Sequence, residues 1–158
     1  MMLRTKISRF LYNIFTYLVS PLLIIHLVFR SISDRRYINR IAERFGFYER
    51  CSNNETIWVH AVSYGEVNAA QSLVRSLLEE YPESKLIFTC TTPTASALIE
   101  DLFQDKVISV YMPYDLKGPV KRFFQWAKPK MAIIIETEIW PNIYHYCCLL
   151  YTSPSPRD

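Results

Sequence analysis

Ile57-Trp58-Val59-His60-Ala61-Val62-Ser63-Tyr64-Gly65-Glu66 changes character halfway along. The first six residues are mostly β-branched, aromatic or apolar, and they predict a strand over 57–62. Ser63 and Glu66 then stand in the Ser-x-x-Glu spacing that opens a helix, and the helical pattern runs to Tyr81. The same alternation repeats three times downstream. Strands are predicted over 85–90, 107–111 and 131–135, with helices over 93–103, over 116–127 and from Trp140 onward. Four strand–helix units in succession imply an α/β fold with a parallel sheet covered on both faces. Ile133-Ile134-Ile135 reads as part of a strand buried on both sides.

Upstream, the spacing of Tyr37, Ile38, Ile41 and Phe45 predicts a helix between Asp34 and Phe45, and Gly46 supplies its stop. The stretch 51–55 is a polar connector. Ahead of these, Phe10–Phe29 is a run of twenty residues without a formal charge. As a helix it is about 30 Å long, matching a bilayer's hydrocarbon core. Pro21 predicts a kink of the kind membrane helices tolerate. The polar Asn13, Ser20 and His26 keep an interfacial helix open as an alternative. A cleaved signal peptide is disfavoured, because the run is long and no small-x-small site precedes Arg30. Arg4, Lys6 and Arg9 flank one side; Arg30, Arg35, Arg36, Arg40 and Arg44 flank the other. The longer basic flank favours a cytoplasmic body, with the first arginines at lipid headgroups. The expected division is therefore an anchor with its basic flank over 1–33, an α/β domain over 34–146, and a tail over 147–158. That tail, CCLLYTSPSPRD, has no period. It is expected to be disordered or non-native and to break the last helix.

Composition narrows the chemistry. Three glycines leave no room for a glycine-rich phosphate loop, and Ser63-Tyr64-Gly65-Glu66 is not the GxGxxG of a dinucleotide-binding enzyme. The net charge of +3 suits an anionic surface or a phosphorylated ligand and does not call for nucleic acid. The four cysteines show no CxxC spacing, so reduced thiols are expected rather than a zinc site or a disulfide framework.

In an open α/β sheet ligands bind beyond the carboxyl ends of the strands, which selects three loops. In the first, Glu66 either closes a capping box with Ser63 or acts as a general base, and the helix dipole favours its ionised form. In the second, Thr92 is a natural N-cap ahead of Pro93, while its hydroxyl and that of Thr94 could also hold a phosphate or sugar. In the third, Glu136 and Glu138 follow a strand that should be buried, so each needs an ion-pair partner or a polar cleft.

Trp58–Val67, Thr91-Thr92-Pro93-Thr94, Met112–Leu116 and Glu136–Asn142 together resemble the Kdo (3-deoxy-D-manno-octulosonic acid) transferases of lipid A assembly. The likeness spans roughly residues 8–146 and includes Glu43-Arg44-Phe45-Gly46 and the apolar run. It implies a Rossmann-like sheet forming the N-terminal, acceptor-binding half of a GT-B glycosyltransferase, on a helix in the inner membrane. The implied reaction is inverting, metal-independent and cofactor-free transfer of Kdo from CMP-Kdo to the lipid A precursor. In that family Glu66 matches the proton acceptor and Glu136 a group supporting the transition state. Ser63, Gly65, Thr92, Thr94 and Glu138 become expected substrate contacts. Tyr64 and Ala95 depart from the residues usual there. The family's CMP-binding second domain has no counterpart in these residues, so the chain alone is expected to be inactive. The competing reading is a membrane-anchored lipid- or sugar-binding module without catalysis. No Asp-x-Asp pair points to a metal-dependent sugar transferase.

If 10–29 is the anchor, deleting residues 1–30 should move the protein from the membrane pellet to the supernatant. A truncated protein that still pellets after a high-salt wash would remove this role.

Overall fold

A computed structural model describes residues 2–49, 55–135 and 140–151, with side chains for 7–49, 55–135 and 140–149. The strands are β1 (Thr56–His60), β2 (Lys85–Cys90), β3 (Val107–Tyr111) and β4 (Pro129–Ile134). They form one sheet in the order β3-β2-β1-β4, and every pairing is parallel. The α/β reading therefore holds. Parallel neighbours need long crossovers, and the helices supply them. After β1 come α3 (Tyr64–Ala69) and α4 (Gln71–Glu80), nearly one helix interrupted at Ala70. After β2 comes α5 (Pro93–Phe103), after β3 α6 (Lys117–Ala127), and after β4 α7 (Pro141–Tyr151).

Alternation along the strands splits the core in two. Ile57, Val59, Phe88 and Cys90 pack with Val67, Val74, Ala95 and Ile99 from α3, α4 and α5. Trp58, Ile87 and Val110 pack with Val120, Phe123 and Phe124 of α6 and Ile143 of α7. Trp58 is fully buried, with the Phe123 ring 5.0 Å away edge-on. Rings this large contribute much of the burial energy, at about 25 cal/mol per Å² of apolar surface.

Four expectations need correction. The stretch 34–45 is not one helix but a 3-10 turn (Arg35–Tyr37) and a short α2 (Ile41–Arg44). Arg40 between them adopts φ 57, where its guanidinium meets Glu43, Glu100, Ser96 and the Ser109 carbonyl. These partners hold the backbone out of the helical region. Second, β4 is an edge strand, and Met131–Ile135 are half-buried rather than enclosed. Third, α7 continues past Tyr146 to Tyr151, because Cys147–Tyr151 holds neither Pro nor Gly. Fourth, the apolar run is not a free anchor but is bonded to the body along one side.

That run lies in α1 (Met2–Ser33), whose segment Ile7–Ser33 is long and apolar enough to cross a bilayer. Phe10, Phe15, Leu18, Leu22, Phe29 and Ile32 are exposed. One side of α1 is nonetheless tied down. Tyr12 donates to Asp115 Oδ2 at 2.9 Å, and the Tyr17 hydroxyl accepts from Gly118 N at 3.2 Å.

Gly46 ends α2 as read, at φ 79, with a Schellman pair: Phe47 N to Ala42 O and Gly46 N to Glu43 O. A Cβ there would lie 2.4 Å from the backbone oxygen of Pro119. Gly46→Ala combines left-handed strain with that clash, so it should cost at least about 2 kcal/mol in denaturant unfolding. A wild-type midpoint would show that α2 and α6 can separate freely.

Candidate active site

Strand order reverses between β1 and β4: β2 and β3 lie on one side of β1, and β4 on the other. The chains leaving the carboxyl ends of β1 and β4 must diverge, and the gap between them is where such sheets bind ligands. Both carboxylates singled out as catalytic candidates follow these two strands.

The first departs through Ala61, Val62 and Ser63. Ser63 is the N-cap of α3, its Oγ accepting from Glu66 N at 3.4 Å. The Ser63 hydroxyl donates to Glu66 Oε1 at 2.8 Å, and Val62 N donates to Oε2 at 2.6 Å. The expected capping box is thus formed, with the carboxylate reaching the amide before the N-cap residue. Glu66 remains half-buried, so its carboxylate is both oriented and reachable. Gly65 is exposed, and a Cβ placed on it meets nothing within 4 Å. Packing does not require glycine there.

Thr91 Oγ1 donates to the Val62 carbonyl at 3.0 Å, tying the second loop to the first. Thr92 caps α5 by accepting from Ala95 N at 3.2 Å, with Pro93 in the first helical turn. The Thr94 hydroxyl lies 3.2 Å from that of Thr92 on the exposed side. Capping is therefore realised at Thr92, and Thr94 stays reachable from solvent.

Glu136 and Glu138 lie outside the described residues, but the chain around them is pinned on both sides. Ile135 N donates to the His60 carbonyl at 2.9 Å, which holds the exit of β4 against the end of β1. Asn142 N and Ile143 N both donate to the buried Asp115 carboxylate at 3.0 Å, and Asn142 Nδ2 donates to its backbone oxygen at 2.8 Å. Asp115 thereby caps α7, although burial still pushes its carboxyl above the usual range. The sequence reading overlooked this residue. An aspartate shortly before one helix gave no sign that it caps another.

His60, inside the predicted strand and without an expected role, is fully buried at the end of β1. Its Nδ1 lies 2.8 Å from Thr89 Oγ1, and that oxygen also accepts from Trp58 Nε1 at 2.8 Å. Nε2 has no partner among the described residues. Burial lowers the imidazole from its ordinary 6.5 to about 4, outweighing the Thr89 carbonyl and the Glu66 charge, which act the other way. His60 is therefore neutral at pH 7. Among the described residues no cluster of His, Cys, Asp or Glu could hold a metal ion.

An unfolded chain takes up the His60 proton near pH 6.5 and the folded chain only near pH 4. This share of stability is complete above about pH 6.5 and is lost as pH falls toward 4. Between pH 7.5 and 5 it should amount to about 2 kcal/mol. His60→Gln should flatten that part of the slope in urea unfolding. An unchanged slope would mean the imidazole reaches water.

The profile of the 3-deoxy-D-manno-octulosonic-acid transferase (kdotransferase) family matches residues 39–149. A transferase of that name from Haemophilus influenzae is 40% identical over 139 residues, covering 87% of this chain and 33% of the relative. A probable mitochondrial one from Arabidopsis thaliana is 34% identical over 84% of this chain and 30% of its own length. One from Rickettsia bellii is 29% identical over 84% and 32%. The chain spans about a third of these curated relatives. The matched segment takes in all four strands and the loops after them, and the chain belongs to the Kdo transferase family.

Proposed function

We propose that residues 34–146 are the acceptor half of a GT-B enzyme that transfers Kdo from CMP-Kdo to the lipid A precursor with inversion. The observation that carries this reading is the half-buried Glu66 carboxylate, oriented by two donors beside the strand-order reversal. A carboxylate so held can accept the proton of a sugar hydroxyl as its oxygen attacks the anomeric carbon. Glu136, which follows β4 in the sequence, offsets positive charge developing at that carbon. Ser63, Gly65, Thr92, Thr94 and Glu138 contact the sugars. The exposed Thr94 and the space over Gly65 favour this. No metal or cofactor takes part. Donor binding falls to parts of the full-length relatives outside the matched third, so the 158 residues alone should not consume CMP-Kdo. α1 anchors the domain at the inner membrane with the body on the cytoplasmic side. Its uncovered apolar surface supports the anchor, and the basic flank supports the side.

A binding module without catalysis has one observation in its favour: both Glu66 oxygens already serve the cap. One substitution separates the readings. Residues 39–146 can replace the matching segment of the full-length Haemophilus influenzae relative, and the exchanged enzyme can be assayed for Kdo transfer. Glu66→Gln keeps the cap's shape and should cost no more than about 1 kcal/mol of stability. As removal of a general base it should lower turnover by about 10²–10⁴ while acceptor binding persists. Normal turnover in an otherwise active exchange would leave Glu66 a helix cap alone.

A further inference from the structure

A cavity of about 250 Å³ lies between α1, α6 and α7, lined among others by Arg9, Asn13, Lys117, Asn142, His145 and Tyr146. Three groups that are or can be cationic converge on it from three different helices, and no carboxylate lines it. Asp115, bonded to Asn142, has Oδ2 taken by Tyr12 and Asn142 N and Oδ1 by Ile143 N. Among the described residues no ion pair involves Arg9, Lys117 or His145. The Arg9 and Lys117 charges are thus gathered without a counter-ion. Burial and the Arg9 charge both push the His145 imidazole down. Asn13 adds a second observation: its Oδ1 is buried without a partner among the described residues. Turning the carboxamide over would place an N–H₂ there, and an anionic oxygen would satisfy it.

We propose that this cavity binds the phosphate ester of a membrane lipid headgroup, with Arg9, Lys117, His145 and Asn13 around the phosphate and the acyl chains along Phe10 and α1. Phosphate fits because it accepts several hydrogen bonds at once: charge-assisted ones from the Arg9 guanidinium and the Lys117 ammonium, and one from a neutral imidazole N–H of His145. The lipid source follows from position. Arg9 immediately precedes the uncharged run 10–29, so lipid laid against the exposed side of α1 would put its phosphate layer beside Arg9. The exposed Phe10 and Leu11 begin the apolar surface on which chains would lie. This proposal rests on the anchor reading of α1 and on neither catalytic carboxylate.

The test uses the whole chain in neutral detergent, titrated separately with dihexanoyl phosphatidic acid, inorganic phosphate and dihexanoyl phosphatidylcholine. Binding is followed by the His145 imidazole resonances, assigned through His145→Gln. Phosphatidic acid should bind saturably, and Arg9→Gln with Lys117→Gln should weaken it on the order of tenfold or more. Arg35→Gln with Arg36→Gln, remote from the cavity, should not. Lys117→Arg should keep most of the affinity, which separates lost charge from lost folding. Equal binding by the Arg9/Lys117 variant, or no saturation in the wild type, overturns the site. Inorganic phosphate binding as tightly as the lipid overturns the lipid assignment. Sedimentation with uncharged vesicles isolates the anchor reading: wild type and Arg9/Lys117 variant should both pellet, and a wild type left in the supernatant sinks the anchor without touching the anion titration.

Discussion

Strand β1 has no free side, and most of the structure follows from that. β2 and β4 occupy its two edges, and Ile57 and Val59 face one core while Trp58 faces the other. Burial of all five residues leaves no water for polar groups within it. Of its polar side chains, Thr56 donates to the Ala127 carbonyl, and the Trp58 nitrogen and His60 Nδ1 are both met by one hydroxyl, Thr89 Oγ1. Leaving the Trp58 indole nitrogen unmet at this depth would cost roughly 1–3 kcal/mol. A central strand this enclosed also makes the sheet a rigid mount. The first polar side chains beyond its carboxyl end, Ser63 and Glu66, are placed by a short loop that Thr91 braces.

The segment 34–48 works as a strap along the β3 edge of the sheet. Arg40 gathers Glu43, Glu100 and the Ser109 carbonyl, and Glu43 accepts from Tyr111 N at 2.7 Å. Arg44, almost wholly buried, donates to the Thr91 carbonyl and lies over the Tyr111 ring at 4.2 Å. Arg122 donates to the Phe45 carbonyl at 2.6 Å. These arginines bond carbonyls as well as carboxylates, so the strap does not depend on exposed ion pairs that salt would screen. Its ties to Thr91 and Tyr111 brace the second loop of the candidate site and the end of β3. Burial also pushes the neighbouring Cys90 thiol up to about 12, which leaves it a packing residue rather than a nucleophile.

The sheet was legible because its signals are local. Strand-forming runs and Ser-x-x-Glu or Thr-Pro starts placed β2, β3 and α5 at their observed limits. Glu66 and Thr92 were legible for the same reason, since a cap's partner lies within three or four residues. What stayed hidden depends on partners far along the chain. Periodicity joined the 3-10 turn to α2 because nothing near Arg40 reveals that Ser109, 69 positions on, will hold it at positive φ. Asp115 looked like a loop residue because the amides it caps come 27 and 28 positions later. The Ile133–Ile135 run misled for another reason: hydrophobicity says that a strand is covered, not whether its neighbour is a strand or an edge.

The contact between α1 and Asp115 changes what an anchor can do. A stalk joined only through residues 33–40 would let the body swing through a wide arc above a membrane. Here the Tyr12 hydroxyl reaches the carboxylate that caps α7, 103 positions away, and Gly118 N reaches Tyr17. Each such bond is worth only about 1 kcal/mol net, so the pair biases an orientation rather than locking it. The bias is sufficient to be consequential, because a factor of ten in population needs only about 1.4 kcal/mol. Tyr12 and Tyr17 are five positions apart on one helix and contact the chain just after β3, at the carboxyl edge of the sheet. Phe10, Phe15, Leu18, Leu22 and Phe29 of the same helix stay exposed. A helix seated in lipid by those side chains would hold the body close to the membrane surface rather than at the end of a free tether.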